Sequence, residues 1–333
     1  MNRWGMTYPL EGISLSEHKE VLQTAEDLGY SDAWSAEVNA NDAFTPLAAF
    51  AAWTKTTRLG CAIANIYTRT PTLLAQTASA VADLAPGRFC LGIGTSSPAI
   101  VENWNGARLE EPLKRMRETI TFLRQAFTGE KTAMQVGPYA VRGFRLGRAP
   151  AEGVPILVAA LREKMLELGG EMGDGVITNY ISPEDARKIA SVAKAGAQRA
   201  GKNPEALDIA CRIFVIASED RQVAQMVGRF VVSGYLTTPF YYAFHEWLGR
   251  GEALSPMMNA WQSGERQAAI GLVPEEVVDD IFVFGSPEEC RAKIKLYCDN
   301  GITTPILNII PTERDREGQA KQVMDWLRRL APR

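Results

Sequence analysis

The amino-acid sequence predicts an α/β protein built as a (β/α)8 TIM barrel, with excursions after the fourth and seventh strands. Three observations carry this reading. Short apolar runs rich in β-branched and aromatic residues occur eight times. Amphipathic segments with apolar residues three or four apart lie between them. Two intervals, 95–153 and 218–303, are too long for a single strand-to-helix step. Such alternation belongs to a parallel sheet, and eight units are what a closed barrel needs. The 333 residues are read as one domain, 1–333, with insertions.

The elements follow in chain order. RWGMTYP at 3–9 is the first strand, and the helix at 16–28 is read to start at Ser16 and stop at Gly29. SDAWSA at 31–36 leads to a helix at 43–56, and RLGCAIAN at 58–65 leads to one at 71–84. RFCLGIG at 88–94 opens the first excursion. There Leu113, Met116, Ile120, Leu123 and Phe127 form one stripe of a helix at 112–127. KTAMQVGPYAVRGFRL alternates apolar and polar residues around Gly137 and Pro138, the pattern of a β-hairpin. VPILVAA at 154–160 and DGVITN at 174–179 precede helices at 163–172 and 183–200, the second started by Ser182 with Glu184 and Asp185. DIACRIFVIA at 208–217 opens the second excursion, which holds a helix at about 219–232 and the aromatic stretch GYLTTPFYYAFHEWLGRG. Ser286, Pro287 and Glu288 begin a helix at 286–299, and TPILNIIP at 304–311 is the eighth strand.

Composition narrows the function. Lys plus Arg total 36 against 39 Asp plus Glu, a net charge of -3, so nucleic-acid binding by bulk charge is not expected. No apolar stretch reaches the length of a membrane span, and the opening MNRWGMTYPLEG lacks a signal-peptide core. A soluble, cytoplasmic protein is expected. Five cysteines without a C-x-x-C pair, and only His18 and His245, leave no material for a metal site or a histidine triad.

In a barrel, ligands are held at the strand carboxyl ends and the loops beyond them. Those ends offer Glu37 and Asn39, then Asn65 and Tyr67, then Gly94, Thr95, Ser96 and Ser97. Later ends offer Ala160, Leu161, Arg162, Glu163 and Lys164, then Asn179 and Tyr180. The rim is polar but mostly uncharged, which suits holding a large planar ligand. GIGTSS at 92–97 serves either as a tight βα turn or as a cradle for an anion or ring carbonyl. The helix start at 162–164 is either a phosphate site, helped by Arg162 and Lys164, or a solvated helix end. Glu37 is either an N-terminal partner for the next helix or a working carboxylate, the candidate proton donor to substrate. Trp104 is a pocket wall or a loop anchor, and the aromatics at 240–247 are read as core of the insertion.

The stretches LGYSDAWSAEVNANDAFTPLAAFAA, RLGCAIANIYTRTPTLLAQTASAVADLAPGRFCLGIGTSS and VPILVAALREKMLELGGEMGDGVITN resemble the bacterial luciferase-like monooxygenase superfamily. Within it they are similar to the branch that uses coenzyme F420, an 8-hydroxy-5-deazaflavin, as in methylenetetrahydromethanopterin reductase. The resemblance covers nearly the whole chain and is thinnest at 234–275. It implies a barrel with the tricyclic ring across the strand carboxyl ends. By position it implies a bulge with a cis peptide at Ala62 and Ile63, ring and ribityl contacts at Glu37, Asn65 and Thr95 to Ser97, and phosphate contacts at Ala160 to Lys164. One departure matters: sugar-phosphate dehydrogenases of the superfamily place an Asp-His pair after the second strand, where this chain has Glu37 and Val38.

The resemblance therefore implies an oxidoreductase moving hydride between coenzyme F420 and a small organic substrate, in a homodimer. The alternatives are a two-component monooxygenase that uses FMN and a cofactor-binding barrel without catalysis.

Overall fold

The computed structural model describes residues 3–332. Strands β1 (Gly5–Tyr8), β2 (Asp32–Ser35) and β3 (Arg58–Cys61) alternate with helices α1 (His18–Asp27) and α2 (Thr45–Trp53). The third predicted strand continues as β4 (Ala64–Asn65) beyond a cis peptide between Ala62 and Ile63. Helix α3 (Pro71–Leu84) and strand β5 (Phe89–Gly94) follow. The first excursion holds α4 (Pro112–Phe127) and the antiparallel pair β6 (Thr132–Val136) and β7 (Tyr139–Phe144), turning at Gly137 as expected. Then come β8 (Ile156–Ala159), α5 (Glu163–Met172), β9 (Gly175–Asn179), α6 (Pro183–Arg199) and β10 (Asp208–Ile216). The second excursion is helical: α7 (Arg221–Tyr235), α8 (Pro239–Trp247), α9 (Gly251–Gln262), α10 (Arg266–Gly271) and α11 (Glu275–Ile281). Helix α12 (Pro287–Asp299), strand β11 (Thr304–Ile310) and helix α13 (Arg316–Arg329) end the chain.

The main sheet runs β3-β2-β1-β11-β10-β9-β8-β5, and pairing of Leu59 with Phe89 closes it into an eight-stranded parallel barrel. Every predicted barrel strand is present. Two details differ from the sequence reading. The helix start assigned to Ser16 falls at Ser14, whose N–H donates to Glu17 across a 3-10 turn before α1. The C-terminal helix α13 lay outside that reading, because its charged surface masks the apolar stripe Val323, Trp326, Leu327 that it buries.

Side chains from alternating strand positions plug the barrel. Trp34, Cys90, Leu157, Ile177, Ala210 and Ile306 form this interior core. Trp34 sets the packing around it: a Cβ on Gly60 would lie 2.4 Å from its ring, so only glycine fits there. Beneath the plug, buried Asp32 meets Arg58, which also reaches Asp208 at 2.6 Å and the Thr304 hydroxyl at 3.1 Å. These acceptors satisfy the guanidinium and close the amino end of the barrel. The second excursion has its own apolar core, in which Val232, Leu236, Leu254, Met257 and Phe282 pack onto Phe214 and Ile216 of β10. That core anchors α7 and α8 above the carboxyl end of the barrel.

Candidate active site

A cavity of about 220 Å³ opens at the carboxyl end of the strands. One wall comes from barrel loops: Ala62 and Ile63 at the cis peptide, then Thr95, Ser96 and Ser97 after β5. The polypeptide is folded tightly here. A Cβ on Gly94 would lie 2.7 Å from Ile63 and 3.0 Å from Ala159, so the bare backbone lets Ile63 lie against β5. Ser96 sits in the left-handed region at φ 58°, which turns the loop sharply beyond the strand. Ser97 ends the loop by accepting from the Ile100 N–H at 3.4 Å, at the start of a π-helix over Ala99–Trp104.

Glu37 stands at the same mouth, held by donors on both oxygens. Arg69 Nη2 reaches Oε1 at 2.5 Å, the Ala43 N–H reaches Oε1 at 3.3 Å, and the Asn65 N–H reaches Oε2 at 3.0 Å. Arg69 in turn stacks over Phe44 at 4.9 Å. Glu37 thereby ties the β2 loop to the β3–β4 break and to the segment before α2. These contacts make Glu37 a fixed anchor of the mouth.

The opposite wall comes from the far side of the barrel and the second excursion. Asn179 and Arg212 face it, with Tyr235, Thr238, Phe240 and Tyr241 above. Tyr241 donates its hydroxyl to Asn179 Oδ1 at 3.0 Å, and burial pushes that hydroxyl's pKa up to about 12. Tyr180 takes a positive φ of 52° and stacks on Phe214 with centroids 4.2 Å apart, fixing the turn after β9.

Of the residues singled out from sequence, Glu37, Ala62, Ile63, Thr95, Ser96, Ser97, Ala160, Leu161 and Asn179 line this one cavity. Asn65 is buried behind it, its side-chain oxygen accepting from the Tyr67 N–H at 2.9 Å. Gly94 lies beneath Ile63. Arg162, Glu163 and Lys164 form the exposed start of α5 on the rim, outside the cavity lining. Trp104 is 56% exposed and does not line the cavity. Phe240 and Tyr241 line it, whereas Phe244 and His245 are the buried core that the sequence reading assigned to the whole stretch. Arg212 escaped that reading, and its signal was a single charge inside the apolar run IACRIFVIA.

Neither histidine belongs to the cavity lining. His18 accepts from the Leu10 N–H at 2.8 Å through Nε2, and burial holds its pKa down. His245 is pushed down to about 3 by burial and then by the nearby Arg250. No cluster of His, Cys, Asp or Glu among the described residues could hold a metal ion. Among the described residues, no helix is long and apolar enough to cross a membrane.

The chain is 30% identical to 5,10-methylenetetrahydromethanopterin reductase of Methanolobus tindarius, over 84% of this chain and 86% of that one. It superposes on the coenzyme F420 dependent tetrahydromethanopterin reductase of Methanopyrus kandleri with a TM-score of 0.73 at 23% identity, covering 97% of each chain. It also superposes on an FMN complex, the oxygenating constituent of 3,6-diketocamphane monooxygenase from Pseudomonas putida. There the TM-score is 0.69 at 16% identity, over 99% of this chain and 96% of that one. These two structural likenesses show the fold. The model of the luciferase-like monooxygenase family matches residues 2–304, and the chain belongs to that family of enzymes.

Proposed function

We propose that this enzyme transfers hydride between coenzyme F420 and a small organic substrate. The observation that carries the proposal is the two-walled cavity, in which an apolar platform at Ala62 and Ile63 meets a hydroxyl-lined turn at Thr95 to Ser97. The platform suits one face of a planar tricycle, and the hydroxyls and loop amides suit its polar edge. Buried Thr178 Oγ1 and Arg212 Nε line or border the same space without a protein partner, as expected of groups that a ligand completes. The start of α5 supplies the cationic rim: Arg162 and Lys164 stand beside its first amides, and a phosphate-bearing tail fits there. When bound, a deazaflavin carries a hydride at C5 and does not activate oxygen as a flavin does.

Residues of this chain then act by holding and excluding. Glu37 and Arg69 brace the loop that carries Asn65, and Phe240 and Tyr241 cover the cavity from the excursion. Relatives that share the branch carry reductase names, which supports the same assignment. The test is fluorescence titration of the purified chain with coenzyme F420 and, separately, with FMN at matched salt. Tighter binding of coenzyme F420 is expected. Equal or tighter binding of FMN would replace this proposal with a flavin-dependent monooxygenase.

A further inference from the structure

We propose that Arg212 recognises an oxyanion, a carboxylate in the simplest case, on the substrate. The word substrate rests on the hydride-transfer reading, whereas the anion site rests on Arg212 itself. In the closed barrel, β10 is the strand opposite β3, with three strands between them on either side. Arg212 on β10 therefore faces the Ala62–Ile63 platform across the mouth, on the side left for a second ligand when a ring lies on that platform.

A guanidinium keeps its charge at every relevant pH. Arg212 spends one donor on Asn308 Oδ1 at 2.9 Å and lies 5.4 Å from the Phe214 ring centroid. Its Nε is buried without an acceptor, and it has no ion pair among the described residues. The other charged residue of the lining, Glu37, is already engaged by Arg69. Tyr241 next to it stays a neutral phenol through neutral pH, so it is no counter-ion.

Two other sheltered arginines are paired with carboxylates, Arg58 with Asp32 and Asp208 and Arg250 with Asp185 and Asp280, while buried Arg115 spends its guanidinium on the carbonyls of Val136 and Ile66. Arg212 differs from all three in lining the cavity at the carboxyl end of the strands. A sheltered cation without a counter-ion is costly, and an incoming oxyanion supplies the opposite charge and acceptors for the guanidinium's remaining donors. The anionic end of the substrate is thereby fixed at β10, so its remaining length points toward the platform.

Benzoate and its neutral isostere benzamide are the probes, titrated into the full chain with and without coenzyme F420 and followed by saturation-transfer NMR. Benzoate is expected to bind about tenfold or more tightly than benzamide, because a paired guanidinium rejects an uncharged isostere. Arg212→Met should lose that preference, and Arg212→Lys should retain part of it. Equal affinity for both probes, or no benzoate binding up to about 50 mM, overturns the proposal. So does an Arg212→Met chain that binds benzoate as the wild type does. If Arg212→Met does not fold, the wild-type probe pair and Arg212→Lys still decide. Displacement of benzoate by coenzyme F420 would assign the anion to the cofactor and overturn the substrate assignment. A chain that binds benzoate selectively but not coenzyme F420 would end the hydride-transfer proposal and leave the anion site standing.

Discussion

Replacing Glu37 by Gln separates a proton donor from a fixed anchor. The carboxylate accepts from Arg69, Ala43 and Asn65, and the amide would put an NH2 group where one of these donors now points. The Glu37 and Arg69 side chains are each only 16% exposed, so water replaces little of what is lost. Breaking a buried pair by removing one partner costs about 3–5 kcal/mol, and the remaining exposure places this pair at about 2–3 kcal/mol. With an unfolding entropy of about 0.7 kcal/mol/K for a chain of this length, Tm should fall by about 3–4 °C. Loss of the Asn65 contact also loosens the β3–β4 break, so affinity for coenzyme F420 should fall in the same variant. Calorimetry and cofactor titration read the two effects. Arg69→Met should reproduce both, since the anchor needs each partner. The reasoning fails if Glu37→Gln melts with the wild type, binds cofactor normally and yet loses about 10² to 10⁴ in kcat, the signature of a missing acid.

Gly92→Ala should destabilise by more than about 3 kcal/mol, because the added Cβ would lie 1.9 Å from the Cys61 carbonyl oxygen of the neighbouring strand; a melting temperature within a degree of wild type would contradict this. Glu26 is held down to about 2 against an ordinary 4.5, since the hydroxyls and amides of Thr56 and Thr57 outweigh its burial. A depressed carboxylate contributes stability above its unfolded pKa and loses it as pH falls through the folded one. Glu26→Gln should therefore flatten the decline of Tm between pH 4.5 and about 2, and parallel wild-type and mutant profiles would count against the assignment. Burial pushes the thiols of Cys61 and Cys290 up to about 12 and those of Cys90 and Cys211 also upward. All four should resist Ellman's reagent in the folded chain at pH 8 and react in denaturant; rapid labelling of any of them, located by mass spectrometry, would show the burial to be wrong.

The barrel was legible because strand and helix periods are local properties. RFCLGIG is buried at all six positions of β5, and a continuous apolar run is what a strand covered on both faces requires. The barrel-loop wall was legible for the same reason, since a strand end points to the loop beyond it. The facing wall was not. Tyr235 and Tyr241 reach the cavity only because the excursion core of Leu236, Leu254 and Phe282 docks α7 and α8 over β10, a long-range packing that no window of sequence displays. Arg162 and Lys164 show the reverse limit: sequence places them at a helix start, while the side-chain direction that leaves them on the rim depends on the fold.

Arg58 and Arg212 stand at opposite ends of the barrel and are satisfied to different degrees. Both rise from barrel strands, and each lies near an aromatic ring, Trp34 for Arg58 and Phe214 for Arg212. At the amino end the chain surrounds its arginine with two carboxylates and a hydroxyl, so that end is complete without a ligand. At the carboxyl end it supplies one amide oxygen and stops. An incomplete set is destabilising in the free protein, which makes it a poor way to hold a fold and a direct way to select an anion. Loops that orient a cofactor can be shared across a family, whereas the wall opposite them combines one barrel side chain with an insertion of separate core. On the proposed assignments, exchanging Arg212 or the excursion should alter which substrates bind while leaving cofactor affinity at the Ala62 and Ile63 platform unchanged.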